Sequence, residues 1–144
     1  MRTIKLIVFG KLKEPYLREA AAEYEKRLGA YCKLETIELT PMRTLEEEAT
    51  LAQSKIGRQA SVAALCVEDR QMSSEQFAAW IDAQPNEIVI LIGSSHGMSD
   101  GLKAQANLRL SMSSMTFPHQ LARVMMLEQL YRAFQINIGG KYHK

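Results

Sequence analysis

Polar and apolar residues interleave from Thr3 to Phe9, with Ile4, Leu6 and Val8 set between Lys5, Ile7 and Phe9, and Gly10 closes the run. That is a strand pattern. The spacing then changes: Leu17, Ala20, Ala21, Tyr24 and Leu28 recur at helical intervals, with Pro15 suited to a first turn and Gly29 to a stop. A second strand is predicted over Leu34 to Leu39. Thr44 and Glu47 form a capping box ahead of a helix that should run to about Gly57. Ser61 to Val67 reads as a third strand, Ser73 or Ser74 as the cap of a short helix through Trp80, and Glu87 to Ile92 as a fourth, fully buried strand. Leu108 to Met112 is the last strand. Pro118 opens the longest helix, through about Ile136, before Gly139 and Gly140 release the tail Lys141 to Lys144.

Strand and helix alternate throughout, which predicts an α/β fold: one domain over residues 1–144, with a parallel-type sheet flanked by helices on both faces. Ligands of such sheets bind beyond the C-terminal ends of the strands, where loops converge and helix N-termini point inward. Three loops qualify by content: Glu68 to Ser73, Gly93 to Met98, and Ser113 to Pro118.

Composition narrows the class. The 144 residues are 47% hydrophobic and 24% charged, the profile of an ordinary folded domain. The longest aliphatic run, Ile88 to Ile92, is far too short to span a bilayer, and the N-terminus has no signal-peptide pattern, so a cytoplasmic protein is expected. Cys32 and Cys66 lie in strand-like segments without CxxC spacing, which suits buried free thiols rather than a disulfide or zinc site. The net charge is only +2, but it is unevenly spread: residues 101–144 carry 6 Lys+Arg against 1 Asp+Glu, and residues 1–100 carry 12 against 15. A basic C-terminal third is a candidate face for a polyanion, unless its cations merely keep the surface soluble.

Gly93-Ser94-Ser95-His96-Gly97 follows a buried strand and allows close approach of backbone to a ligand. It lacks the spacing of a dinucleotide fingerprint and the Lys-Ser/Thr of a P-loop. It does match G-x-S-x-G, so the alternative function is a small serine hydrolase using Ser95, with Asp100 or Glu128 and then His143 following in chain order. A chain this short leaves little room for a hydrolase's sheet and cap. His96 could act as a base but reads more simply as a solvated loop residue, and His119 as a hydrogen-bonding group at the start of the last helix. The histidines are not spaced as metal ligands. The last helix carries Leu121, Val124, Met125, Met126, Leu127, Leu130, Tyr131 and Phe134, wider than one apolar stripe. A homodimer interface would bury the excess; a deeply buried core helix is the other reading.

The stretch LSMSSMTFPHQLARVMMLEQLYRAFQI, Leu110 to Ile136, together with Tyr142-His143-Lys144, resembles the C-terminal signature of the ribosomal large-subunit pseudouridine N3-methyltransferase family, of the SPOUT class. The N-terminal strand ending Gly-Lys-Leu-Lys, the helix with Tyr24-Glu25-Lys26-Arg27-Leu28 and the strand running into Gly93 extend the likeness more weakly. The resemblance implies a homodimeric enzyme with a C-terminal trefoil knot, which pattern reading alone would reject because threaded chains are rare. It implies S-adenosyl-L-methionine as methyl donor, N3 of a pseudouridine in 23S ribosomal RNA as acceptor, the ribosome or its RNA as partner, and no metal. Cofactor-binding positions carried over are Leu65, Gly93, Met112, Ser113, Ser114, Met115, Thr116 and Phe117; catalytic ones are Tyr142 and His143, on a tail free to close over substrate. Ser94 stands where the family usually has a second glycine, Cys66 where an acidic residue follows the leucine, and Asp69-Arg70 where Gly-Lys is common.

Overall fold

A computed structural model describes all of residues 1–144. Five strands, β1 (Arg2–Phe9), β2 (Cys32–Leu39), β3 (Ser61–Leu65), β4 (Ile88–Leu91) and β5 (Leu108–Leu110), form one parallel sheet in the order β2-β1-β4-β3-β5. Between and after them run α1 (Pro15–Leu28), α2 (Leu45–Gln53), α3 (Ser74–Ala83), α4 (Asp100–Ala104) and α5 (His119–Asn137). Parallel strands need crossovers, and right-handed ones put a helix on one face when the chain steps one way along the sheet and on the other when it steps back. The steps β1 to β2 and β3 to β4 share a direction. Accordingly α1, α3 and α5 pack on Ile4, Leu6, Val8, Ile88 and Ile90, whereas α2 and α4 pack on Ile7, Phe9, Val89 and Leu91. The predicted α/β sandwich is what forms.

Three strands end earlier than their apolar runs. β3 stops at Leu65 rather than Val67, β5 at Leu110 rather than Met112, and β4 at Leu91 rather than Ile92, because the residues beyond leave the ladder to line loops. Pairing still guides them: Cys66 N donates to Leu110 O at 2.8 Å and Ser111 N to Arg70 O at 3.0 Å. β2 begins two residues before the expected Leu34, since Cys32 is buried and pairs with Arg2. α2 ends at Gln53, short of Gly57, where Ser54 to Ile56 turn the chain back toward β3. α3 runs past Trp80 to Ala83, because Ile81 is core and Gln84, extended ahead of Pro85, is the residue that stops it. Its cap is Ser73, in a complete box with Gln76, whereas Thr44 makes only half of one: its oxygen accepts from Glu47 N, and Glu47 bonds the Thr44 hydroxyl rather than its backbone.

Most of the breadth of α5 is used inside the protomer. Val124, Met126, Leu127, Leu130 and Ala133 are buried between α1, α3 and the sheet, and Phe134 stacks on Tyr31 with ring centroids 6.0 Å apart. Met126 is only 1% exposed; Leu121 is 38% exposed, Met125 and Tyr131 are half-buried, and Ile138 at the helix end is 61% exposed.

Candidate functional site

The loops after β3, β4 and β5 converge at the C-terminal end of the sheet on a cavity of about 730 Å³. Order decides this placement. β4 sits between β1 and β3, and β5 lies outside β3, so the three loops are neighbours in space although far apart in sequence. Leu65, Cys66, Val67 and Glu68 form one wall, Ile92 to Met98 a second, and Met112, Ser113 and Met115 to Pro118 a third, with His119 and Ala122 of α5 closing the end. Seven of the eight cofactor positions expected from the sequence, Leu65, Gly93, Met112, Ser113, Met115, Thr116 and Phe117, therefore line one space. Ser114 does not: it is exposed on the outside of its loop.

Each wall is held by its own chemistry. A side chain at Gly93 would place Cβ 2.4 Å from the Gly97 carbonyl oxygen, so only glycine lets the loop fold back on itself. Gly97 N closes that turn on Ser94 O at 2.9 Å, and Gly97 has φ +92°, in the left-handed region. Behind the third wall, buried Ser111 donates to a neighbouring carbonyl, Val67 O at 3.0 Å or Ser113 O at 2.8 Å, which ties the loop after β5 to the loop after β3. At the mouth Glu68 pairs with Lys103 and Asp69 with Arg109 at 3.0 Å. Cys66, Glu68 and Asp69 come close enough to suggest a metal cluster, but both carboxylates already carry a cation and burial pushes the Cys66 thiol up to about 11.

His119 makes no side-chain hydrogen bond at the start of α5, contrary to the role expected for it; it faces the cavity, where burial and then the charge of Lys13 lower its pKa. A neutral imidazole at neutral pH follows. Lys103, His119 and Ala122 are lining residues that sequence reasoning missed, and no local motif marks them, since only the crossover of α4 and the return of α5 bring them in.

The tail is not free. Gly139 takes φ +72° and Gly140 N donates to Gln135 O at 2.8 Å, folding the chain back onto α5. The Tyr142 hydroxyl donates to Glu128 Oε2 at 2.7 Å, its ring meets Tyr131 edge-on at 4.8 Å, and Arg132 lies 4.8 Å over its face. His143 bonds Arg132 at 3.0 Å through Nδ1 and meets Glu75 of α3 through Nε2. Burial, and then the bond to Glu128, push the Tyr142 hydroxyl far above its usual range, so it is a donor and not a base. Burial alone would raise Glu128, but Arg132 and Tyr142 outweigh it and hold the carboxylate low. Neither Tyr142 nor His143 lines the cavity of its own chain. The freely closing tail expected from the two glycines is thus corrected to a docked one.

The hydrolase constellation does not assemble. Ser95 is exposed, with no side-chain partner, while Glu128 and His143 are engaged with the tail and with α3 and α5.

Comparison with known proteins gives the family and the fold. The family model described as "Predicted SPOUT methyltransferase" matches residues 1–143. A protein named ribosomal RNA large subunit methyltransferase H from Clostridium beijerinckii is 45% identical over 158 aligned positions, covering 98% of this chain and 99% of its own. One of the same name from Streptococcus suis is 44% identical over 157, with the same coverage. Among solved structures, a probable methylase family protein from Haemophilus influenzae Rd KW20 superposes with TM-score 0.61 at 11% identity, over 98% of this chain and 70% of that one. The SpoU methyltransferase AviRb from Streptomyces viridochromogenes, solved in complex with the cofactor AdoMet, gives 0.51 at 12% identity, over 94% and 58%. At such identities the two structures speak to the fold alone.

Proposed function

This chain belongs to the SPOUT methyltransferase family, and on that premise we propose that it is an S-adenosylmethionine-dependent enzyme methylating large-subunit (23S) ribosomal RNA, at N3 of a pseudouridine. The observation that carries the reading is the near full-length likeness to proteins named for large-subunit RNA methylation, 45% identical across 98% of the chain. The choice of N3 of a pseudouridine rests on the C-terminal signature, Leu110 to Ile136 with Tyr142-His143-Lys144.

The cavity suits the cofactor. Its volume of about 730 Å³ lies in the usual range of small-molecule sites, and the tight fold-back of Gly97 on Gly93 sets backbone along one of its walls. Leu65, Met112, Met115 and Phe117 offer apolar surface to a purine, while Ser113, Thr116 and loop amides offer hydrogen bonds. When bound, S-adenosylmethionine supplies an already activated methyl group. What remains for the protein is to hold the acceptor nitrogen in line and to favour loss of its proton. His119, neutral at the end of the cavity, adds no cation there. No serine nucleophile is needed.

Tyr142 and His143 do not line the cavity of their own chain, and this supports a homodimer in which one protomer's tail serves the other's cofactor. There, once substrate displaces the bonds to Glu128, Arg132 and Glu75, Tyr142 stacks on or donates to the base, and His143 holds a phosphate or takes the imide proton. The same reading includes the trefoil knot in the C-terminal half, supported by three strand-end loops packed round one cavity, and a cytoplasmic location, supported by the ribosomal substrate; no helix is long and apolar enough to cross a membrane. Calorimetry with S-adenosylmethionine, followed by transfer of labelled methyl to ribosomal RNA, free or in the subunit or ribosome, tests the proposal. One site per protomer and label in the large-subunit RNA are expected; no binding at millimolar cofactor would sink it.

A further inference from the structure

Glu48 of α2 is a carboxyl group only 4% exposed that does not itself line the cavity, and no cation pairs with it. A buried carboxylate without a counter-ion is held by hydrogen bonds or not at all. Two are present. Glu48 Oε2 accepts from Met42 N at 3.1 Å, and Glu48 Oε1 accepts from the hydroxyl of Ser94, itself 8% exposed, at 2.9 Å. The Ser94 oxygen in turn lies 3.3 Å from the donating N–H of His96. One chain of bonds thus runs from the β2–α2 connection through α2 into the glycine loop that walls the cavity.

We propose that Glu48 is a positioning residue for this loop: by accepting the hydrogen bond of the Ser94 hydroxyl it fixes Ser94, whose oxygen in turn holds the His96 amide in the cavity wall. The consequence concerns the cofactor, and the inference rests on the reading of the cavity given above. Pre-organising the wall raises affinity by removing the ordering cost at binding. The link is not needed for chemistry once the cavity is filled. A buried carboxylate kept only for the core would be a poor choice, since apolar residues of similar size serve a core as well.

The test compares Ser94→Ala, Glu48→Gln and Glu48→Ala with the wild type in three measurements: amide hydrogen exchange at His96 and Gly97 in the free protein, the Kd for S-adenosylmethionine, and kcat at saturating cofactor. Ser94→Ala removes one hydroxyl and keeps the backbone, so it is expected to fold. It should exchange faster at His96, bind about tenfold more weakly, at the lower end for losing a hydrogen bond to a charged group, and keep kcat within about twofold. Glu48→Gln, which retains an acceptor, should lie nearer the wild type than Glu48→Ala. Adding Glu48→Ala to Ser94→Ala should weaken binding little further, as two members of one link do. Wild-type exchange and Kd in Ser94→Ala, with only the melting temperature lowered, would overturn the proposal. If Glu48→Ala does not fold, Ser94→Ala and Glu48→Gln decide alone. Failure of the wild type to bind S-adenosylmethionine would overturn the cofactor reading instead, while exchange at His96 in the free protein still decides whether Glu48 and Ser94 order the loop.

Discussion

Gly93→Ala is the sharpest probe of the cavity wall. The added Cβ would stand 2.4 Å from the Gly97 carbonyl oxygen and 2.8 Å from its carbon. Ordinary contact needs roughly 1 Å more, and the obstacle is backbone, not the end of a flexible side chain. Relief must come from the loop, because Ile92 behind Gly93 is 4% exposed and Met98, whose Cβ would be 3.4 Å away, is 8% exposed. Moving Gly97 breaks its 2.9 Å bond to Ser94 O. Overpacking of this kind costs about 1–3 kcal/mol, which for a chain of this size lowers Tm by roughly 3–10 °C. Affinity for S-adenosylmethionine should fall by about five- to a hundredfold if the whole cost falls on the binding wall, at about 1.4 kcal/mol per factor of ten. Two control substitutions separate the causes. Gly97→Ala meets no atom within 4 Å but keeps φ +92°, so it should cost about 1–2 kcal/mol through backbone strain alone. Gly101→Ala, inside α4 with nothing within 4 Å, should be neutral or stabilising by up to about 1 kcal/mol. Thermal melts and calorimetry on the three variants give the readings; a Gly93→Ala protein with wild-type Tm and Kd would refute the steric reasoning.

Deleting residues 141–144 should leave S-adenosylmethionine affinity near wild type while methyl transfer falls at least about a hundredfold, with a small loss of stability from the Tyr131 and Glu128 contacts; full turnover on the ribosomal substrate would remove the tail from catalysis. His119 has its pKa lowered from 6.5, so below about that pH the unfolded chain binds more protons than the native one and stability drops as pH falls; His119→Gln should shrink the difference in denaturant midpoint between pH 7.5 and pH 5, and an unchanged difference would exonerate it. Met126→Lys should unfold the protomer rather than yield a folded monomer, since the side chain is 1% exposed, and circular dichroism will tell; a native spectrum with unchanged Tm would place Met126 in water. Ser95→Ala should keep most methyl transfer, and the wild type should resist fluorophosphonates, because the hydroxyl is exposed and unpartnered; stoichiometric labelling at Ser95 would revive a hydrolase.

What the sequence discloses depends on the range of the interaction. Strand and helix follow from local periodicity, so every element with a clear period was legible, whereas β4, apolar at all four positions, gave no sign of which residues face which helices. The loops Gly93 to Met98 and Ser113 to Pro118 were legible too, because strand ends in a parallel sheet are where ligands sit, but of the expected loop Glu68 to Ser73 only Glu68 lines the cavity. Strand ends were misjudged where apolar residues serve a loop instead of a ladder: Val67, Ile92 and Met112 look like strand and line the cavity. The tail was misjudged for the opposite reason, since Gly139-Gly140 reads as freedom, whereas partners more than ten residues away, Glu128, Arg132 and Glu75, dock it. Glu48 carries no sequence signal at all. It sits in an acidic first turn beside Glu46 and Glu47, and only tertiary packing separates the buried one from the two exposed.

The strand order also sets a timetable. β4 lies in the middle of the sheet, with Ile4 of β1 opposite Ile88 on one side and Ser61 of β3 opposite the same residue on the other. Until residues 88–91 have left the ribosome, β3 has no strand to pair with and β1 has only β2. Closing the sheet therefore waits on pairings of long sequence separation, the kind that slow folding. A nascent chain stalled before β4 exposes the apolar edge of β3, Val62 to Leu65, to whatever strand comes first, and a chain released before α5 lacks the helix that shields Ile4, Leu6 and Ile90. An enzyme for the large ribosomal subunit is thus itself a late finisher on the ribosome, its centre completed by the fourth of its five strands and its cavity by residues still later in the chain.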